Sequence, residues 1–297
     1  MKKIKRETKA VLAALGGNAV WGFAYPFTRI AQRYSMPIQQ LALRVTVTFL
    51  AVNLMLLLGW GGGLHLRGKK LRPLILLCLS EISCFFFESY GLFYTNATVT
   101  SVFMAAAPIA AILLAAFFLH EYPTWGQVLF CIVSIAGVIM ISMAGKALGV
   151  VSLLGVLLLV CLCFSSGSYK AVNRSAGEFT PFERTYMLAA SCTVVCTTVA
   201  LFQLGGDVKA YLAPFASWQF TLSTLAVGVI CSLASNLLMN YAASGVSVTK
   251  MANFGALTTV CSTFAGVVFL HEPISGLMLL GTAIILVGVW QVNKRGK

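Results

Sequence analysis

Two carboxylates seven positions apart in an otherwise apolar stretch offer the most chemistry in this chain. Glu81 and Glu88 both fall within residues 71–94, and seven positions are two helical turns, so both point to nearly one face. Arg44 stands about seven residues inside the outer end of the apolar stretch 37–59, and Glu88 about six inside the outer end of its own. At 1.5 Å per residue both lie roughly 10 Å below the surface. Charges at such depth are costly and are usually paired or face water. Arg44 and Glu88 therefore either form an ion pair, or Glu88 lines a cavity as a counter-charge or proton carrier. Glu81 lies deeper, near mid-span, where no basic residue is expected. It is either a proton-coupling group or a protonated, hydrogen-bonded structural acid.

Around these charges stand residues suited to a small polar ligand. Tyr90 shares the neighbourhood of Glu88 and could offer a ring face to a cation. Trp21 and Tyr25 flank a polar, glycine- and proline-containing interruption at 18–26, which makes either a cavity wall with a hinge at Pro26 or plain helix packing. Ser232, Asn236 and Asn240 follow one another at four-residue spacing, a polar ladder down one helix face. Trp21, Tyr25, Glu81, Glu88, Tyr90, Asn236 and Asn240 are the candidate substrate-binding residues, with Glu81, Arg44 and Glu88 as the coupling or ion-pair group. Catalysis is a poor fit, because the three histidines, His65, His120 and His271, lie at segment ends and cannot gather around the carboxylates. No metal-ligand spacing is present and no cofactor is expected. The nine cysteines read as small apolar fillers, and Lys250 as a side chain long enough to snorkel to the inner interface.

The elements that must hold these residues are membrane helices. Of 297 residues, 59% are hydrophobic and 10% charged, against roughly 25% charged in an ordinary soluble domain. Apolar runs of the length a bilayer requires fall near 10–31, 37–59, 71–94, 97–119, 123–145, 149–172, 180–204, 218–243, 246–270 and 274–292. The fold class is thus an all-α membrane protein of ten transmembrane helices. The net charge of +13 needs no nucleic-acid partner, since sixteen of the 21 Lys and Arg fall on the side occupied by the N-terminus and four on the other. That asymmetry is the positive-inside rule, and it places both termini in the cytoplasm.

The chain also repeats itself. Residues 89–146 and 240–297 align without a gap at an offset of 151, bringing Gly137 onto Gly288 and Phe118-Leu119-His120-Glu121 onto Phe269-Leu270-His271-Glu272. An internal repeat of this kind decides architecture before any single residue does. Two halves of five helices, 1–147 and 148–297, enter the membrane with opposite orientation, a recurrent plan of secondary transporters with a site near the midplane. Glu121 and Glu272, each just before a helix start, suit a positive helix N-terminus.

Trp21-Gly22, Leu43-Arg44, Glu88-Ser89-Tyr90-Gly91 leading to Tyr94-Thr95-Asn96-Ala97, Pro108 and the paired Leu-His-Glu breaks resemble the EamA-like branch of the drug/metabolite transporter superfamily. The likeness covers nearly the whole chain; the second half departs from it by carrying Thr259 where Pro108 stands in the first. The resemblance implies a multi-pass carrier of the bacterial inner membrane, moving amino acids, metabolites or drugs by alternating access through a cavity between two inverted bundles. Two carboxylates against one deep arginine favour cationic or zwitterionic cargo. The expected partners are a small-molecule substrate and membrane lipids, with the chain acting as a monomer or homodimer. A non-transporting sensor or assembly partner with a ligand pocket is the alternative, and an intramembrane enzyme the remotest.

Overall fold

The computed structural model describes residues 2–61, 63–94, 97–120, 122–144, 152–270 and 275–294. Glu121, His271 and Glu272 lie outside them, as does the side chain of Tyr25. Among the described residues there are helices and no strands. In order they are α1 (Lys2–Gly22), α2 (Ala24–Ala31), α3 (Pro37–Leu57), α4 (Arg72–Tyr94), α5 (Ala97–Leu119), α6 (Trp125–Ala144), α7 (Leu153–Ser175), α8 (Pro181–Gln203), α9 (Val208–Leu212), α10 (Trp218–Leu225), α11 (Ser235–Ala243), α12 (Val248–Phe254), α13 (Ala256–Leu270) and α14 (Gly276–Lys294). A π-helical segment, Ala226–Ala234, joins α10 to α11. Among the described residues, seven helical stretches are long and apolar enough to cross a membrane, and three shorter apolar ones accompany them at Ala107–Phe118, Trp125–Met140 and Leu279–Val292.

Local chemistry explains the ends and breaks. Proline occupies the first turn of α3 and of α8, where its missing N–H costs nothing. Thr180 and Glu183 close a reciprocal capping box at the start of α8, each side chain accepting from the other's backbone N–H. The break between α1 and α2 falls at Phe23, because Pro26 cannot donate to the Gly22 carbonyl four residues earlier and its ring crowds that group. Gly22 is also where α1 lies closest to α13: a Cβ there would come within 2.8 Å of the Thr258 carbonyl oxygen.

The most extensive helix pairings join an element before residue 147 to one after it: α6 with α14, α4 and α5 with α7, α3 with α8, and α1 with α11 and α13. Small residues make these approaches close, as expected where lipid supplies no hydrophobic drive between helices. Gly137 on α6 would place a Cβ 2.8 Å from the Gly281 carbonyl and from Ile285 Cγ1 on α14. Gly288 on α14 would place one against Ser134 Oγ and 3.0 Å from the Phe130 carbonyl on α6. Residues 281 and 285 are 130 and 134 advanced by 151, so the two glycines make reciprocal contacts. Gly288→Val should therefore overpack this crossing and cost about 1–3 kcal/mol. Adding Ser134→Gly should recover part of that loss, read as thermal unfolding in detergent; a single variant as stable as the wild type would contradict the packing.

Candidate functional site

Arg44, Glu81 and Glu88 meet where α1, α3 and α4 pack with α8 and the π-helical segment. Arg44 is 7% exposed. Its guanidinium lies 5.6 Å from the ring centroid of Trp21 and 5.0 Å from that of Phe85, a cation held between two aromatic faces. The expected ion pair with Glu88 is not formed: no carboxylate of a described residue reaches ion-pair distance of Arg44, and its Nε has no hydrogen-bond acceptor. Glu88 and, more weakly, Glu81 still act on Arg44 through space. The three charges thus form one electrostatic group without a direct bond, an arrangement that leaves each able to meet something else.

The backbone beneath Arg44 is set by the π-helical segment. Widening the turn brings Gly228 against α3, where a Cβ would sit 3.0 Å from the Arg44 carbonyl oxygen. The Thr48 hydroxyl lies 2.9 Å from the Gly228 carbonyl and 3.1 Å from that of Arg44, within donating distance of either. Such bulges recur at functional sites, since the backbone groups they free must find partners.

Glu81 is 8% exposed and has no hydrogen-bond partner among the described residues. It lines a cavity of about 20 Å³ together with Thr48, Phe85, Cys192, Ser232 and Asn236, room for a water or two. Ser232 Oγ is buried without a partner. Ser232 and Asn236 stand 151 positions after Glu81 and Phe85, so matching positions from before and after residue 147 line one cavity.

Asn236 and Trp21 therefore lie at this site with the three charges. Two other candidates do not. Asn240, one turn beyond Asn236, is fully buried; its amide donates to Thr185 Oγ1 at 2.8 Å and accepts from Asn173 Nδ2 at 2.8 Å. Both ends are spent on holding α7, α8 and α11 together. Tyr90 stacks on Phe86 at 6.3 Å and its hydroxyl accepts from Gln203 Nε2 at 2.6 Å, towards the far end of α4. Lys250 is 4% exposed, and its Nζ reaches Oε1 of the half-exposed Glu7, near the start of the first apolar span, at 3.3 Å.

Two cations have interior roles that charge counting along the chain missed. Arg184, fully buried, donates to Asn173 O at 3.0 Å, Asn173 Oδ1 at 2.6 Å and Ser244 Oγ at 2.8 Å, and to the Asn240 carbonyl. Lys170 projects from α7 towards Gly255, where a Cβ would lie 3.9 Å from its Nζ. The available signal was position, since both stand inside apolar stretches rather than in loops.

A bundle of apolar helices enclosing a charged, partner-poor core defines a multi-pass membrane transporter, and comparison with known proteins gives the family. The profile of the EamA-like transporter family matches residues 8–143 and again residues 153–294; the chain belongs to that family. It is 34% identical over 289 residues to "Uncharacterized transporter YcxC" of Bacillus subtilis (strain 168), covering 96% of this chain and 92% of that one. It is 27% identical over 294 residues to "Probable terminal-alkyne amino-acid exporter" of Streptantibioticus cattleyicolor, covering 97% and 94%. A solved structure, described only as the crystal structure of a protein, superposes with a TM-score of 0.80 over 97% of both chains at 15% identity, a likeness of fold. The names of family and relatives are those of transporters, not of enzymes.

Proposed function

We propose that this chain is a secondary transporter of small polar metabolites, such as amino acids or other cationic or zwitterionic solutes, working by alternating access across a bacterial inner membrane. Ten spanning helices form two oppositely inserted five-helix halves, 1–147 and 148–297, with both termini in the cytoplasm. Glu88 and Arg44 set charge preference, Glu81 carries a proton, and Trp21, Tyr25 and Asn236 contact the solute. The observation that carries this reading is the charged group of buried Arg44 and Glu81 with half-buried Glu88, set where helices from both halves meet and joined by no ion pair. Such charges inside a membrane bundle mark substrate or ion pathways. The twofold family match, the reciprocal glycine contacts of α6 and α14, and the relative named as an amino-acid exporter support it.

The purified chain in sealed vesicles should drive substrate-dependent flux of at least one solute from a panel of amino acids, polyamines and neutral metabolites. Ligand binding without flux of any solute would instead favour a sensor. Single cysteines introduced at positions 120 and 271 should be labelled from opposite sides of the membrane, and labelling from one side would overturn the inverted arrangement.

A further inference from the structure

The charges in the bundle do not balance where they stand. Arg44 is answered by Glu88 and Glu81. Among the described residues Lys170 is answered by no carboxylate; the titratable groups within electrostatic reach of it are the neutral thiols of Cys84 and Cys163. Among the described residues its ammonium has neither ion pair nor hydrogen bond. An ammonium inside a helical bundle is costly without a counter-charge, so an anion from elsewhere is the group that fits.

Geometry says where that anion would sit. Positions 81, 84 and 88 share one face of α4, and α4 packs along α7, which carries Lys170. Cys84 is close enough to both carboxylates and to Lys170 to respond to all three. Lys170 therefore looks onto the carboxylate-bearing face of α4 without touching a carboxylate. On its other side is the break between α12 and α13. Gly255 supplies no side chain there, and a Cβ on it would meet Lys170 Nζ and Asn18 Oδ1, each at 3.9 Å. Asn18 is already used, donating to the Ala14 carbonyl at 2.7 Å and accepting from the Thr258 hydroxyl at 3.2 Å. The notch thus holds a cation that no described carboxylate answers, beside an amide already in use.

We infer that Lys170, at the Gly255 break, is the carboxylate-binding group of the transport cavity, so that a solute bearing both charges lies with its carboxylate on Lys170 and its ammonium towards Glu81 and Glu88. This rests on the transporter reading above and adds the second charge of the solute.

The test is a thermal-shift titration of the purified full chain with each of the twenty L-α-amino acids and, for those that stabilise it, the matching α-carboxamide, which keeps the ammonium and loses the negative charge. A ligand that binds the folded form raises its melting temperature. At least one amino acid should bind the wild type at least tenfold more tightly than its amide. Lys170→Met should lose that discrimination by weakening the acid and not the amide; Lys170→Arg should keep it. Should Lys170→Met fail to fold, Lys170→Gln is read by the same acid-to-amide ratio, which a merely structural lysine would leave unchanged. A neutral variant that still prefers the acid overturns the assignment. So does a wild type that binds none of the twenty; flux of another solute in vesicles would then leave the transporter reading standing.

Discussion

Arg184→Ala should leave little folded protein. The guanidinium is the hub of a buried network: its four hydrogen bonds end on Asn173, Asn240 and Ser244, tying α7 and α11 to α8. Its neighbour Glu183 does not neutralise it. That carboxylate is taken by Lys69 Nζ at 2.6 Å, by the His65 N–H at 2.8 Å and by the Thr180 N–H at 2.7 Å. Truncation would strand carbonyl and amide acceptors in a dry interior, each at about 1–3 kcal/mol. Four acceptors lose their donor at once, so the loss is a large fraction of the roughly 5–15 kcal/mol a folded domain has. The expected result is a collapse in monodisperse yield in detergent, with a lowered melting temperature in whatever remains. Arg184→Lys should recover part of it, since a lysine reaches fewer of the acceptors. Wild-type yield and melting temperature for the alanine variant would show that the network contributes nothing.

The second large effect concerns energy coupling. If Glu81 carries the proton, Glu81→Gln should abolish accumulation driven by a pH gradient while leaving solute-for-solute exchange intact. For one proton per solute, a gradient of one pH unit sustains about a tenfold concentration ratio, worth about 1.4 kcal/mol; in the variant that ratio should fall to about one. Exchange survives because the amide keeps the shape and polarity of the acid beside Ser232 and Asn236. The groups facing Glu81 include Arg44, Glu88 and Cys192, so Glu88→Gln is the control: it removes a charge nearby without removing the proposed carrier. Accumulation that follows the gradient unchanged in Glu81→Gln assigns the acid a structural role.

Much of the site was legible because helix periodicity is strict. The spacing of Glu81 and Glu88 placed both on one face of α4, and the match in depth brought Arg44 into their neighbourhood. The same reasoning failed one contact further on. Arg44 and Glu88 were read at one depth, yet the guanidinium lies over the rings of Trp21 and Phe85 and forms no ion pair with Glu88, because depth fixes height in the membrane but not which neighbours a side chain meets. Asn236 and Asn240 make the same point. They occupy one ladder in the sequence, but the first lines the cavity and the second is consumed by Asn173 and Thr185. Lys170 and Lys250 look alike in the sequence, each a lysine at the edge of an apolar stretch; Lys250 pairs with Glu7, whereas Lys170 meets no carboxylate among the described residues.

What the sequence determined by itself was therefore the solvent, the helices and the duplication: apolar runs of bilayer length, a biased distribution of lysine and arginine, and an ungapped self-match at 151 positions. The tertiary structure decided which face of each helix meets which neighbour. The physical reason lies in the bilayer. A soluble helix shows a polar side and an apolar side that orient it, whereas helices such as α5 and α14 are apolar nearly all round. Their rotation is fixed instead by close packing at small residues and by a few polar contacts, and those exist only once the partners have met.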